Sequence, residues 1–239
     1  MVRFTLFGVP VEIQPWFWLA TAYFSGGLFS ATPEAMQYVL IFVLAATISI
    51  LVHEFGHALT GRRLGGGYAT IQLWALGGLA TNHGGRFTRS GRFWMIAAGP
   101  GAGFLLGGLI FVILVSMFGV HDAATFAGFS LFGITDSAVS SETMEFIQNR
   151  PPLMSLLNSM LWINFWWGIL NLLPILPLDG GQIAQLFVTP QKRAFQISVA
   201  TAVAAAILGF VWRDSTYTIF FFGYLAWKNY QAMKEYHWQ

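Results

Sequence analysis

His53 and His57 stand four residues apart in Ile50-Leu-Val-His53-Glu54-Phe55-Gly56-His57-Ala-Leu59, with Glu54 between them. On a helix advancing about 100° per residue the two histidines share a face one turn apart, so two imidazoles can hold one metal ion. Glu54 projects from the neighbouring flank. A carboxylate there does not bind the metal but takes a proton from the water the metal holds. Phe55 and Gly56 are then spacers, and the chemistry that fits the spacing is zinc-assisted hydrolysis. The run from Ala35 to Val52 carries no charge. Ionisable groups at the edge of such an apolar stretch are costly enough to mark function.

Two histidines leave tetrahedral zinc short of a protein ligand, because a catalytic site has three plus a water. The chain has no cysteine, so histidine or carboxylate must complete the set. The candidates are Asp179, His83, His121, Asp122 and His237. Asp179 is the best placed, because Pro174 and Pro177 stop the helix before it. Broken backbone at membrane depth is tolerated only where it lines a protein cavity or water, as a buried hydrolytic site requires. Asp179 can equally be read as the N-cap of a helix that continues through Gly180-Gly181-Gln182, and the two roles are compatible.

The elements that must position these residues are membrane spans. Of the 239 residues, 56% are hydrophobic and 9% charged, against roughly 25% charged in an ordinary soluble domain. The composition predicts an all-α polytopic membrane protein of about six transmembrane helices, with small extended elements near the N-terminus and after the second helix. Residues 1–239 are expected to form a single integral-membrane domain, with no removable signal peptide. Arg3 to Ile13 reads as two extended pieces joined at Gly8 and Pro10. Spans are expected at Pro15–Ser30, Ala35–Leu59, Phe93–Phe118, Leu153–Leu173, Phe195–Trp212 and Thr216–Tyr230. Tyr68 to Ala80 has the composition of a surface strand and loop. It could pair with an extended substrate or simply form a connecting hairpin. Gly99, Gly103 and Gly107, four apart, suit close approach by a neighbouring helix. His121 to Arg150 reads as a polar connection, with a short helix after Ser140 and Ser141.

The pI near 9 arises from a net charge of only +2, and the basic residues flank spans, so nucleic acid is a poor partner. With six spans, one side of the membrane receives Arg3, Arg62, Arg63, Arg86, Arg89, Arg92, Lys192, Arg193, Lys228 and Lys234. The other receives only Arg150 and Arg213. Cytoplasmic loops hold the excess, so both termini are expected in the cytoplasm, with the histidines and the end of the fourth span near that face.

His53-Glu54-Phe55-Gly56-His57 followed by Asn171-Leu-Leu-Pro174-Ile-Leu-Pro177-Leu178-Asp179-Gly180 resembles the site-2 protease family of intramembrane zinc metalloproteases, peptidase family M50. Phe7-Gly8-Val9-Pro10-Val11, Gly77-Gly78 and Ala98-Gly99-Pro100 extend the resemblance over most of the chain up to Gly181. It implies regulated cleavage of membrane-spanning protein substrates in a lipid bilayer, with one zinc ion. It further implies zinc ligation by His53, His57 and Asp179, Glu54 as general base, and Asn171 holding substrate or the developing oxyanion. The setting expected is the plasma (inner) membrane of a prokaryote, with any regulatory membrane partner unidentified. The chain departs from the family where Gly101, Ala102 and Gly103 follow Gly99-Pro100, since members often carry asparagine there. No stretch fits a PDZ or CBS domain, so a minimal form is expected. The alternatives are an inactive relative serving as a membrane scaffold, which intact Glu54 disfavours, and a zinc transporter. A transporter would need ligands spread along a route across the bilayer, and spans one, three, five and six carry almost none.

Overall fold

A computed structural model of the chain describes residues 1–239 other than 28, 30, 31, 136, 137, 214, 215 and 236–239. His237, one of the candidate ligands, lies outside the described residues. The structure divides into two compact units, Met1–Gly168 and Ile169–Gln239.

The first unit opens with β1 (Val2–Leu6) and β2 (Val9–Ile13), an antiparallel hairpin turned by two residues. Phe7 and Gly8 both have positive φ, 52° and 68°, the combination that matches the twist of a two-residue hairpin. Helix α1 (Pro15–Phe24) then runs back along α2 (Pro33–Gly65). Phe17 packs in one cluster with Ile50, Phe55 and Ala58, whereas a Cβ at Gly27 would lie 2.9 Å from Val39. After α2 come β3 (Tyr68–Trp74) and β4 (Gly77–His83). The four strands form one sheet in the order β1-β2-β3-β4, in which β2 and β3 are parallel, with Val11 opposite Ile71. Period-two alternation sends Val9, Val11, Ile13, Ala69, Ile71 and Leu73 to one face, buried against α2. Arg3, Glu12, Thr70 and Gln72 take the other face, where Arg3 pairs with Glu12 at 2.8 Å.

Helix α3 (Arg89–Phe132) carries a break at Gly119, whose φ of 78° and ψ of 167° lie outside the helical region. The expected polar connection beginning at His121 is therefore helical as far as Phe132. Its Ala123 and Leu131 enter the same apolar core as Ala45, Ile110 and Leu114, a burial the surrounding polar residues hide in the sequence. Ser140 caps α4 (Ser141–Asn149) through the amide of Thr143. Asp122 is buried and accepts hydrogen bonds from the hydroxyls of Ser140 and Thr143, tying the end of α3 to α4. Helix α5 (Pro151–Leu172) follows.

In the second unit α6 (Asp179–Phe187) leads to α7 (Gln191–Arg213) and α8 (Thr216–Glu235). They pack around Ile175, Ala202, Phe222 and Leu225.

The chain is mostly helical. Among the described residues four helices are long and apolar enough to cross a membrane: α2, α3, α5 and the 191–211 portion of α7. The helical part of the expected first span is ten residues, about 15 Å, and ends at Ser25 before Gly26. The expected sixth span, α8, is diluted by Lys228, Asn229, Gln231, Lys234 and Glu235.

Candidate metal centre

Helix α2 sets Ser49, His53 and His57 in one column, each one turn from the next. His53 and Glu54 are buried and His57 is partly buried. The Nε2 atoms of the two histidines are 3.1 Å apart. His57 Nδ1 lies 2.9 Å from the carbonyl oxygen of Met95 on α3. A carbonyl only accepts, so Nδ1 carries the proton and Nε2 is the nitrogen with a lone pair, as metal ligation requires. Two imidazole nitrogens bound tetrahedrally to one zinc at about 2.0–2.1 Å would sit roughly 3.3 Å apart, so the observed pair fits the ion.

Two glycines explain how backbone comes this close. A Cβ at Gly99 would overlap the His57 imidazole, and a Cβ at Gly78 would overlap the Glu54 carboxylate. Neither position has a positive φ, so glycine is required there by space and not by conformation. Gly56 serves the same purpose between the histidines, because a side chain there would strike the Ala98 carbonyl. The Gly77-Gly78 and Ala98-Gly99-Pro100 stretches are therefore the surfaces of β4 and α3 that face the motif.

Asp179, in the second unit, is buried at the first position of α6. The N-cap of that helix is Leu178 and Asp179 is its first helical residue, so Asp179 is not the cap that the sequence allowed. The turn before it folds tightly onto the helix start. A Cβ at Gly180 would strike the Leu172 and Leu173 carbonyls, and one at Gly181 the backbone of Ile175 and Leu176. The backbone of Leu176 is satisfied on both sides: its N–H donates to Ser198 Oγ at 3.1 Å, and its carbonyl accepts from Asn229 Nδ2 at 2.7 Å. Both side chains are buried. They do for this broken segment what a helix does for itself in an apolar medium.

His53 and His57, in the first unit, present two imidazole nitrogens 3.1 Å apart, and Asp179, in the second, presents a buried carboxylate at the head of α6. Two imidazoles and one carboxylate are a donor set that zinc accepts. The other candidates are engaged elsewhere. His83 Nε2 lies 3.0 Å from Thr70 Oγ1 and its ring stacks on Tyr68, while His121 and Asp122 pair with each other. Asn171 is buried near the end of α5. The Met95 carbonyl left no trace in the sequence, since any residue supplies one. Ser198 and Asn229 did leave a signal, as polar residues inside apolar runs.

The family model described as Peptidase family M50 matches residues 41–212. A zinc metalloprotease of Methanocaldococcus jannaschii is 27% identical over 206 residues, which are 85% of this chain and 49% of that protein. Rip3 of Mycobacterium tuberculosis is 26% identical over 161 residues, 67% of this chain and 33% of that protein. The chain thus spans about half or less of the length of these relatives. The solved structure of a site-2 protease from Methanocaldococcus jannaschii aligns with a TM-score of 0.52 and 20% identity, covering 96% of this chain and 94% of that one. The two share a fold.

Proposed function

The chain belongs to peptidase family M50, the site-2 protease family, and from that premise we propose that it hydrolyses peptide bonds of membrane-spanning proteins within the bilayer. The observation that carries the proposal is the pair of imidazole nitrogens 3.1 Å apart on α2, beside the buried Glu54. His53, His57 and Asp179 hold the zinc. When bound, zinc brings the pKa of a coordinated water toward roughly 7 and polarises the carbonyl to be cut. Glu54, on the flank of the histidine column, takes the proton of the attacking water and hands it to the leaving amine, one carboxylate serving as base and then as acid. The glycine at position 78 lets the carboxylate lie against β4. His57 stays in the tautomer fixed by Met95. Asn171 steadies the substrate or the developing oxyanion.

A helical substrate hides its carbonyls in hydrogen bonds, so it must unwind locally before attack. The chain acts as one membrane domain with α1 and α8 completing six crossings and both termini cytoplasmic. The division of basic residues, ten against two, supports that orientation. The experiment is zinc content and cleavage of a model transmembrane substrate, compared between the native chain and Glu54→Gln. Glutamine keeps the shape but cannot take the proton, so zinc is retained and cleavage falls by about 10²–10⁴-fold. Full cleavage by that variant sinks the mechanism.

A further inference from the structure

Asn164 is a buried amide, 2% exposed, on a face of α5 that meets both α2 and α3. Its Nδ2 donates to the Met160 carbonyl at 2.8 Å and to Ser49 Oγ at 2.8 Å. Because a carbonyl cannot donate, Met160 fixes which end of the amide is nitrogen. Oδ1 is then turned to the other side, buried, with no hydrogen-bond partner among the described residues. It faces Gly103. A Cβ placed at Gly103 would have Asn164 Oδ1 at 3.6 Å and the Asn164 main-chain oxygen at 3.8 Å as its nearest neighbours. The missing side chain of Gly103 therefore leaves a methyl-sized space bordered by two oxygens, both acceptors. One turn on, Gly107 lets α3 approach the Cβ of the same asparagine.

An acceptor oxygen sealed among apolar helices is unfavourable unless something donates to it. No other atom lies within 4 Å of that Cβ apart from the helix's own neighbouring backbone, and water supplies two donors for the two oxygens. We propose that the Gly103 notch is a binding site for a single water molecule that donates to Asn164 Oδ1 and to the Asn164 main-chain oxygen. The water holds the amide in the orientation in which Nδ2 grips Ser49. Ser49 stands one turn before His53 in the same column, about 6 Å along α2. The hydration site thus steadies the ligand face of α2 from the side opposite His57. The water site stands without the protease reading, and its effect on zinc rests on that reading.

The test uses the full chain in lipid bilayers, with labelled asparagine, and solid-state NMR transfer of magnetisation from water protons to side-chain amides. Asn164→Leu assigns the resonance. The native chain should show water contact at Asn164, and no transfer there overturns the proposal. Gly103→Ala fills the notch with a methyl group and should abolish the contact, lower the thermal midpoint and weaken zinc affinity about tenfold, as loss of supporting contacts around a metal site does. Gly103→Ser adds nearly the same bulk, but a hydroxyl on a Cβ 3.6 Å from Oδ1 can donate to it, so stability and zinc affinity should return to native values. Equal losses in Gly103→Ala and Gly103→Ser would mean crowding alone and would overturn the proposal, as would unchanged zinc affinity in Gly103→Ala. A native chain that shows the water contact, binds zinc and cleaves nothing leaves the water site standing and removes the proteolytic reading.

Discussion

Gly78→Ala isolates the placement of one carboxylate. Gly78 lies at the start of β4 with an ordinary φ, so alanine fits the backbone and would be expected to stabilise the strand by about 0.5–1 kcal/mol through chain entropy. The added Cβ, however, overlaps the Cγ, Cδ and Oε1 atoms of Glu54. To regain van der Waals separation the carboxylate must shift by about 1 Å. A displacement of that size at a reacting group costs on the order of 10²-fold in rate, about 2.7 kcal/mol of transition-state stabilisation. Zinc content should be native, because His57 is approached by Gly99 of α3 and not by β4. The assay is kcat for a model transmembrane substrate together with metal content and thermal midpoint. Gly101→Ala is the control, since nothing lies within 4 Å of a Cβ there. A Gly78→Ala protein that is folded, zinc-loaded and as fast as the native chain would refute the assignment of Glu54 as the positioned base.

Asp179→Asn should lower zinc affinity by more than about 100-fold and stop cleavage, with Asp179→Ala worse, because a neutral amide replaces a charged donor. As an anion in the first turn of α6, Asp179 favours that helix by about 0.3–1 kcal/mol, and this is the loss expected from the helix in Asp179→Asn. Metal analysis and thermal melts separate the two effects, and normal zinc with normal cleavage removes Asp179 from the site. For topology, a cysteine at exposed Ala138 should react with impermeant reagent from outside the cell only. Labelling from the cytoplasmic side would reverse the orientation.

The placement of His53, Glu54 and His57 could be read from the sequence because its information is local: the three share one helix, and helical geometry alone sets their faces. The spans of α2, α3 and α5 were equally legible as long apolar runs. The sheet was harder, because Arg3–Ile13 and Tyr68–Ala80 each read as extended, yet nothing in either stretch says that β2 pairs with β3. That pairing depends on where α2 delivers Tyr68. The helix from His121 to Phe132 was hidden because His121 and Asp122 open it with charge-capable side chains, while Ala123 and Leu131 enter the apolar core and Asp122 is buried against Ser140 and Thr143. Helix α6 was legible as a helix opening at Asp179, although its glycines argue against helix by propensity and are present because neighbouring backbone needs the space; the cap itself falls one residue earlier, at Leu178. The Met95 carbonyl that selects the His57 tautomer could not have been found, since main-chain atoms have no sequence signature.

The parallel union of β2 and β3 also sets an order of events during synthesis. Sixty residues separate Ile13 from its partner Leu73, and at about 5–20 residues per second the ribosome takes roughly 3–12 s to supply them. Throughout that interval the first hairpin waits with Val11 and Ile13 uncovered. It can close the sheet only if α1 and α2 have both been laid down so that residue 68 emerges on the side where residue 13 was left. The small sheet is thus completed only once α1 and α2 have brought residues 13 and 73 to the same side.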